Sequence, residues 1–393
     1  MMRTVRVLVA PDKFKGSLTA AAVAAHLGVG LRQAVPGAVV DELPVADGGE
    51  GTVAAALAAG FVPVELEATG PLGEPVTTRY AVAGSTAVIE MAAVSGLEML
   101  DPDDASARHA TSRGVGELLA HAIDHGARTV VIGIGGSAST DGGAGMLRAL
   151  GARLNGAAGE LPDGGDALRS LAWVDLTGLD PRLVATEVVL ASDVDNPLLG
   201  PDGAAAVYGP QKGADRQAVL DLEEGLTRWA GALSDAGVSG AERLVTAPGA
   251  GAAGGVGYAA LAVLGARRRP GVDVILELTR FQDRLAGADL VITGEGSLDE
   301  QSLRGKAPVG IARAAARHGV ATVAVCGRTT LGRSALERAG LRAAYALTDI
   351  ETDVQRCMTH PGPLLEKLAE QIARHHLVAA AIAAPEEKRE ERP

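Results

Sequence analysis

The 393-residue sequence has few aromatic residues, few cysteines and no block of positive charge. Aromatic residues make up only 2% of the chain, which argues against a surface that stacks nucleic acid bases. A net charge of −12 without a basic cluster also makes nucleic acid and anionic membranes poor partners. The two cysteines, Cys326 and Cys357, show no CxxC or zinc-ligand spacing and suit a reducing compartment.

Long hydrophobic runs are missing as well. No stretch reaches about 20 apolar residues without a charge, so no membrane-spanning helix is predicted. The first apolar run ends after a few residues at Pro11 and Asp12, which is too short for a signal peptide and is typical of a strand. With 47% apolar residues the chain can bury a large core, and we expect a cytoplasmic enzyme or binding protein.

Lysine is scarce, because only six of the 36 basic residues are lysines. Arginine therefore supplies nearly all of the ordinary surface charge. The remaining lysines are candidates for positions that need a compact, mobile ammonium group. Four of them lie beside glycines or in candidate loops: Lys13, Lys15, Lys212 and Lys306.

The order of strands and helices predicts an α/β fold. It opens with a βαβα pattern that indicates a parallel sheet with crossover helices, and this alternation returns near the C-terminus. Between the two, consecutive short β segments favour hairpins and a second domain. The predicted strands are 5–10, 39–45, 62–68, 77–83, 86–90, 130–134, 188–190, 289–293, 321–325 and 341–347. The predicted helices are 18–33, 53–59, 114–124, 143–150, 215–236, 258–264, 308–318 and 364–383.

These elements predict two domains. The first is a Rossmann- or flavodoxin-like parallel-sheet domain that is split in sequence, 1–59 and 282–384. The second is a mixed α/β domain, 60–281, inserted into the first. The charged tail, 385–393, is predicted to be disordered.

The stretch 129–145, TVVIGIGGSASTDGGAG, joins a buried strand to a glycine-rich loop. Glycine allows unusual φ values and a close approach of the backbone to a ligand. Consecutive N–H groups followed by a helix N-terminus attract anions. A flexible surface loop is the alternative. The stretch provides candidate phosphate-binding residues Gly135, Gly136, Ser137 and Ser139, and a candidate metal-binding carboxylate, Asp141.

Acids, glycines or hydroxyls follow most of the predicted strands, at the ends where parallel sheets bind ligands. The eight histidines lie outside these loops, so histidine acid–base catalysis is not indicated. Carboxylates, lysines and glycine-rich loops suit Mg²⁺-dependent phosphoryl transfer from ATP. The residues at the strand ends are Asp12, Lys13, Lys15, Asp47, Glu50, Ser137, Ser139, Asp141, Asp193, Asp195, Asn196, Glu295 and Asp299.

The familiar nucleotide motifs do not fit. There is no G-x-x-x-x-G-K-[ST] sequence, since Gly305-Lys306 is followed by Ala307. The chain has no H-R-D and D-F-G pair, so it is not a protein kinase. No G-x-G-x-x-G follows the first strand, which disfavours a dinucleotide enzyme.

Seven ordered segments resemble the bacterial glycerate kinase family of the glyoxylate- and glucarate-pathway type (glycerate kinase type 1). They are APDKFKGSLTA (10–20), PVADGGEGT (44–52), GIGGSASTDGGAG (133–145), ASDVDNPLLGPDGAA (191–205), YGPQKGA (208–214), PGAGAAGGVGYA (248–259) and ADLVITGEGSLDEQSLRGKAPVG (288–310). The resemblance implies ATP-dependent phosphorylation of D-glycerate, with 2-phosphoglycerate favoured over 3-phosphoglycerate. It also implies two α/β domains with the active site in the cleft between them. A homodimer is compatible with the sequence.

The chemistry of the residues suggests a role for each candidate. Asp193 is the candidate general base for the glycerate hydroxyl. Loop capping is the alternative for the acids, and tight packing between domains is the alternative for the glycine-rich loops. Candidate Mg²⁺ ligands are Asp47, Asp141 and Asp195. Candidate catalytic lysines, for a carboxylate or a phosphate, are Lys13 and Lys15. Candidate substrate and phosphate contacts are Ser17, Asp47, Gly135, Gly136, Ser137, Ser139, Asn196, Lys212, Gly251, Gly254, Gly255, Glu295, Lys306 and, more weakly, Arg328.

Two other functions stay open. The first is a kinase of another small hydroxy acid or sugar acid. GIGGSAST superficially resembles the glycine–serine loop of the galactokinase–mevalonate kinase class, but that class places the loop differently and lacks the DxDNP stretch. The second is a non-enzymatic sugar-acid-binding protein. Such a protein would not need many carboxylates together with two phosphate-type loops.

Overall fold

The computed structural model describes residues 4–377, and the chain divides into two compact units. Unit 1 combines the chain before Asp47 with the chain from Leu276 onward, and unit 2 is Asp47–Ile275. The predicted domain limits, after residue 59 and before residue 282, stay predictions. The predicted disordered tail, 385–393, lies outside the described residues.

The strands and helices alternate along most of the chain. The strands are β1 (Arg6–Pro11), β2 (Val39–Glu42), β3 (Val62–Thr69), β4 (Pro75–Ala83), β5 (Thr86–Glu90), β6 (Thr129–Gly133), β7 (Arg153–Gly156), β8 (Gly159–Glu160), β9 (Leu171–Asp175), β10 (Glu187–Ala191), β11 (Arg267–Arg269), β12 (Leu290–Leu298), β13 (Thr322–Thr329) and β14 (Ala344–Ala346). The α-helices are α1 (Ala20–Ala34), α2 (Thr52–Ala58), α3 (Ala92–Ser95), α4 (Asp104–His109), α5 (Arg113–Asp124), α6 (Ala144–Ala149), α7 (Ala204–Tyr208), α8 (Arg216–Asp235), α9 (Ala241–Leu244), α10 (Val256–Ala262), α11 (Gly271–Leu278), α12 (Phe281–Arg284), α13 (Ala307–Ala316), α14 (Arg333–Arg338), α15 (Val354–Thr359) and α16 (Pro361–His376). Short 3₁₀ turns lie at Leu97–Met99, Asp166–Ser170, Pro181–Ala185, Pro210–Lys212, Ala252–Gly255, Ser302–Arg304 and Leu347–Asp349.

Unit 1 contains a parallel sheet with the strand order β14-β13-β12-β1-β2. Counted within the unit, this is the flavodoxin-like order 2-1-3-4-5, so the predicted parallel α/β fold is confirmed. The strand order reverses between β1 and β12, and open α/β sheets bind ligands beyond the carboxyl ends of the strands at such a point.

Alternating residues of the unit 1 strands cover both faces of the sheet. Val323 and Val325 of β13 pack in the core that includes α1 and α16. Ala324 and Cys326 pack in the opposite core, with α13 and α14. Both faces are therefore buried, which explains why these strands are continuous apolar runs in the sequence.

Unit 2 contains a mixed sheet with the order β11-β10-β6-β5-β4-β3. The neighbouring strands β5, β6, β10 and β11 are parallel, whereas β3 and β4 form the predicted antiparallel hairpin. The carboxyl ends of the four parallel strands lie at one edge of the sheet. The loops that follow Gly133, Ala191 and Arg269 therefore begin at that edge. A small antiparallel sheet, β8-β7-β9, was not predicted.

Two predicted elements differ from the observed ones in ways that affect the site. The strand predicted at 289–293 continues to Leu298, because β13 continues beside it and Ser297 pairs with Arg328. Glu295 therefore lies within β12, and the prediction that it follows the strand is wrong. The last helix begins at Pro361, before its predicted start, and the predicted stretch 378–383 lies outside the described residues. None of the helices described between residues 4 and 377 is long and apolar enough to cross a membrane.

Candidate active site

Asp193 lies just beyond the carboxyl end of β10, and its two carboxylate oxygens have different surroundings. Oδ1 accepts a hydrogen bond from the N–H of Gly271 at 3.1 Å. Oδ2 is buried and has no hydrogen-bond partner among residues 4–377. Burial raises the pKa of Asp193 to about 6, with further contributions from Asp47 and Asp273, while the Gly271 N–H and Arg268 act in the opposite direction. The carboxylate can therefore accept a proton at an oxygen that no other group occupies.

Asp47 and the two residues after it pack onto the same edge of the unit 2 sheet. Gly48 has a φ of 89°, and a Cβ added to it would lie 2.6 Å from the carbonyl oxygen of Ala191 at the end of β10. The carbonyl of Gly48 also accepts a hydrogen bond from the N–H of Gly135 at 3.2 Å. The structure thus brings together Asp47, Asp193 and the start of the glycine-rich loop.

Asp195 and Asn196 are occupied by contacts that shape the loop after β10. The Asp195 side chain is 78% exposed and forms an ion pair with Arg268 at 2.5 Å. The amide of Asn196 donates to the carbonyl of Asp202 at 2.8 Å, and its oxygen accepts from the Tyr208 hydroxyl at 2.7 Å. These contacts connect the loop to the chain that follows it.

The glycine-rich loop after β6 has an accessible part and a buried part. Gly136 is exposed and Gly135 is half-buried, whereas Ser137 and Ser139 are buried. Gly136 has a φ of 73°, which favours glycine. A Cβ at Gly135 would lie 2.6 Å from the Cα of Gly49, so this position also requires glycine. The backbone that a ligand can approach is therefore limited to Gly135 and Gly136.

Asp141 is fully buried, and both of its oxygens accept hydrogen bonds. Oδ2 accepts from the N–H and the hydroxyl of Ser112, each at 2.8 Å, and from the N–H of Gly145 at 3.1 Å. Oδ1 accepts from the N–H of Gly143 at 3.0 Å. Burial raises the pKa of Asp141 and these hydrogen bonds oppose the shift. The N-terminus of α6, expected from the sequence to attract an anionic ligand, is thus occupied by the protein's own carboxylate.

The second glycine-rich loop packs against the first one within unit 2. Gly251 donates its N–H to the carbonyl of Asn196 at 2.9 Å, and the carbonyl of Gly254 accepts from the N–H of Gly142 at 2.9 Å. Ala253, Gly254 and Gly255 are consecutive left-handed residues, with φ values of 54°, 65° and 93°. Gly251, Gly254 and Gly255 are buried. Phosphate binding by this loop stays a prediction, and the contacts observed are those of close packing.

Lys212 is also buried, beneath the first glycine-rich loop. Its Nζ donates to Ser137 Oγ at 3.0 Å and to the carbonyl oxygen of Ser139 at 2.6 Å. Burial lowers the pKa of Lys212 to about 7, and the negative charge of Asp141 opposes this shift. The sequence predicts that Lys212 reaches the ATP phosphates. In the structure its ammonium group instead donates hydrogen bonds to oxygen atoms of the protein.

In unit 1, the candidate residues lie at the carboxyl ends of β1 and β12. The Asp12 N–H donates to the carbonyl of Gly294 at 2.8 Å, which joins the segment before Lys13 to β12. A Cβ at Gly296 would lie 3.3 Å from the backbone nitrogen of Lys15, so the Lys15 backbone lies beside β12. Lys13 is half-buried and Lys15 is exposed. The point at which the strand order reverses therefore contains two lysines.

Glu295 and Lys306 meet at the same edge, where Lys306 Nζ lies 3.4 Å from Glu295 Oε2. Arg328 donates through Nε to Ser297 Oγ at 3.4 Å.

Ser17, a candidate substrate contact, has a partner within the protein, because its hydroxyl donates to the carbonyl of Met358 at 2.6 Å. Ser17 thus holds the loop after β1 to α15.

Three residues of the unit 2 site were missed in the sequence. The N–H of Gly271 donates a hydrogen bond to Asp193, and both Gly271 and Arg268 lower the pKa of Asp193. The sequence feature that could have indicated them is the run of arginines followed by Pro-Gly at 267–271. Glu90, at the end of a predicted strand, accepts hydrogen bonds from the N–H groups of Gly51 and Val53 at 3.0–3.1 Å. It therefore holds the start of α2 and the loop that contains Asp47.

Comparison with known proteins identifies relatives over nearly the whole chain. The model of the Glycerate kinase family matches residues 7–377. The chain is 42% identical to the glycerate kinase of Bacillus subtilis over 373 residues, which cover 94% of this chain and 97% of that protein. It is also 42% identical to a protein of Escherichia coli K12 named glycerate 2-kinase, over 88% of this chain and 92% of that protein. A crystal structure from Salmonella typhimurium LT2, described as glycerate kinase 2, matches with a TM-score of 0.81 and 39% identity, covering 97% of this chain and 100% of that one. The chain therefore belongs to the glycerate kinase family.

Proposed function

We propose that this protein transfers the γ-phosphoryl group of ATP to the 2-hydroxyl group of D-glycerate, with Mg²⁺ as the metal ion. Membership of a kinase family supports ATP as the phosphoryl donor. The name of the Escherichia coli relative, glycerate 2-kinase, supports the 2-hydroxyl over the 3-hydroxyl. The single structural observation that carries the proposal is the unpartnered Oδ2 of Asp193, a buried carboxylate oxygen at the ligand-binding edge of the sheet.

Asp193 is proposed to act as the general base. Its Oδ2 accepts the proton of the glycerate hydroxyl while the hydroxyl oxygen forms a bond to the γ-phosphorus, and the bond from that phosphorus to the ADP oxygen breaks. The hydrogen bond from Gly271 orients the carboxylate through its other oxygen. A base with a pKa near 6 is largely ionised at neutral pH and still basic enough to assist proton transfer.

The phosphate groups need positive charge and N–H donors. In unit 2 we assign the N–H donor to Gly136, the exposed residue of the glycine-rich loop, because the N–H of Gly135 already donates to the carbonyl of Gly48. In unit 1 we assign the role to Lys13 and Lys15, which follow β1, and to Lys306, which precedes α13 and pairs with Glu295 of β12. Their ammonium groups would bind the glycerate carboxylate or phosphate oxygens as point charges.

The carboxylates of unit 2 fit a magnesium ion that is held partly by substrate. No cluster of three or more histidine, cysteine or acidic side chains that could hold a metal occurs among the described residues. Mg²⁺ usually needs only one or two carboxylates, because phosphate oxygens and waters complete its shell. Asp47, whose charge acts on the nearby Asp193, would supply such a carboxylate, and the ion would neutralise charge on the phosphates. Asp141 and Asp195 are weaker candidates, because hydrogen bonds or an ion pair already occupy them.

A coupled assay tests this function by measuring ADP release from ATP and Mg²⁺ with D-glycerate. Reactions with L-glycerate, with other small hydroxy acids and without an acceptor are the controls. We expect ADP release that depends on D-glycerate, and phosphorus NMR should show 2-phosphoglycerate. Asp193→Asn should lower kcat by about 10²- to 10⁴-fold and leave KM nearly unchanged. ADP release that is independent of D-glycerate would refute the proposal, and a 3-phosphate product would refute the assigned hydroxyl.

A further inference from the structure

Lys212 has an environment that differs from that of an ordinary phosphate-binding lysine. Only 2% of its surface is exposed, although lysine is almost never fully buried unless its ammonium group is paired. Both hydrogen-bond acceptors of its Nζ, Ser137 Oγ and the Ser139 carbonyl, belong to the glycine-rich loop. Lys212 therefore binds this loop from the protein interior.

The backbone around Lys212 fixes the direction of its side chain. Lys212 ends the short 3₁₀ turn Pro210–Lys212, and Gly213 follows with a φ of 96°. A Cβ at Gly213 would overlap the backbone of Asp103, so only glycine fits there. The turn cannot shift without displacing the residue that caps α4.

The glycine-rich loop has an outer side and an inner side. Gly135 and Gly136 reach solvent on the outer side, and the acceptors of Lys212 lie on the buried inner side. The loop is also fastened by the N–H of Leu97, which donates to the carbonyl of Gly136 at 2.8 Å. A cation on the inner side both anchors the loop and adds positive potential behind the N–H of Gly136 on the outer side.

We propose that Lys212 is a positioning residue that holds the glycine-rich loop through Ser137 and Ser139, so that the N–H of Gly136 is fixed for binding a phosphate group. This inference rests on the proposed kinase function. Lys212 acts on the nucleotide through the loop, and it does not contact the nucleotide itself.

A double-mutant cycle tests this route. Lys212→Met keeps the apolar stem but removes the ammonium group, and it should raise the KM for ATP by about 10- to 100-fold. Ser137→Ala should raise it less, because the bond to Ser139 remains. The double variant should be no worse than Lys212→Met, since both changes affect one connection. Lys367→Met, at an exposed position of α16, is the matched control and should leave KM unchanged. If the increases in the KM for ATP of the two single variants multiply in the double variant, the proposal is wrong.

Hydrogen exchange in the absence of any ligand gives a readout that does not depend on activity. We expect backbone amides of the loop after β6 to exchange faster in Lys212→Met than in the wild type, and to be unaffected in Lys367→Met. Unchanged exchange in Lys212→Met would overturn the positioning role, whereas an absence of glycerate-dependent ADP release from the wild type would overturn the proposed function. Ser137→Ala supplies the same readout if Lys212→Met does not fold.

Proton uptake provides a third measurement. Burial lowers the pKa of Lys212 to about 7, and Asp141 is the charged group that opposes this shift. A phosphate on the loop should favour the protonated ammonium, so ATP binding just above neutral pH should draw a proton from the buffer. Calorimetry in buffers of different ionisation enthalpy should show less proton uptake in Lys212→Met than in the wild type.

Discussion

Asp193 should set the acidic limb of the pH profile. A general base must be ionised, and burial raises the pKa of Asp193 to about 6. We therefore expect kcat/KM to fall about tenfold for each pH unit below this value and to be level above it, until another group titrates. In Asp193→Asn the residual kcat/KM should no longer fall with pH in this range. A wild-type profile that is level down to about pH 4 would show that another group is the base.

The same carboxylate should reduce the stability of the folded protein at neutral pH. Its pKa is raised from 3.8 to about 6, so between these values the folded state retains a proton that the unfolded chain has released. Stability from this group therefore falls as pH rises through that interval and stays lower above it. Asp193→Asn should gain on the order of 1–3 kcal/mol in the free energy of unfolding near pH 8 and little near pH 4. Denaturant unfolding at the two pH values measures this, and an equal gain at both would contradict it.

Asp141 should stabilise the glycine-rich loop after β6 through its hydrogen bonds. Its oxygens accept four hydrogen bonds from N–H and hydroxyl donors, so the amide group of an asparagine would face donors at one position. Asp141→Asn should reduce the free energy of unfolding by about 2–4 kcal/mol without shifting the Mg²⁺ concentration for half-maximal activity. Asp195→Asn, at an exposed ion pair, is the control and should change stability little. A shifted Mg²⁺ dependence in Asp141→Asn would instead support a metal ligand.

At the scale of elements, the packing of the two glycine-rich loops requires a residue without a Cβ at position 254. Gly254 has a φ of 65°, and an added Cβ would overlap the carbonyl oxygen of Ser139. Gly237 has a φ of 82°, but no atom lies within 4 Å of an added Cβ. Substitution of Gly237 by alanine therefore measures the cost of the backbone conformation alone. Gly237→Ala should reduce stability by about 1–2 kcal/mol, and Gly254→Ala by clearly more. Thermal and denaturant unfolding compare them, and equal losses would show that the loops tolerate the methyl group.

Strand pairing also decided features that local patterns did not contain. A Gly-Glu-Gly-Ser run after the segment 289–293, DLVIT, predicts a strand followed by a loop. In the structure β12 continues through this run because β13 lies beside it up to Thr329. Most other strands and helices could be predicted, since their apolar periodicity and flanking glycines are local properties of the chain.

At the scale of the whole molecule, each unit has its own core. One hydrophobic cluster is built from buried residues between Ala68 and Ala266 of unit 2, and two others are built from buried residues outside Asp47–Ile275. We expect Asp47–Ile275, expressed alone, to fold and to unfold cooperatively. It should not phosphorylate glycerate if Lys13, Lys15 and Lys306 have the binding role proposed for them, because it lacks all three. Circular dichroism with thermal unfolding tests this, and an unstructured product would show that the unit depends on the rest of the chain.

The α/β fold, the family, and the strand-end acids and glycines of the candidate site could all be predicted from the sequence. These features are encoded by periodicity and by residue types at short spacing. The difference between Asp141 and Asp193 could not be predicted, since both are acids that follow a strand, and it arises from contacts made in the folded protein. Asp141 meets Ser112, 29 positions away, and both of its oxygens are occupied, whereas Asp193 meets Gly271, 78 positions away, through one oxygen only. Such differences depend on which distant backbone groups the fold brings to each carboxylate, and the same is true of the buried position of Lys212 beneath the glycine-rich loop.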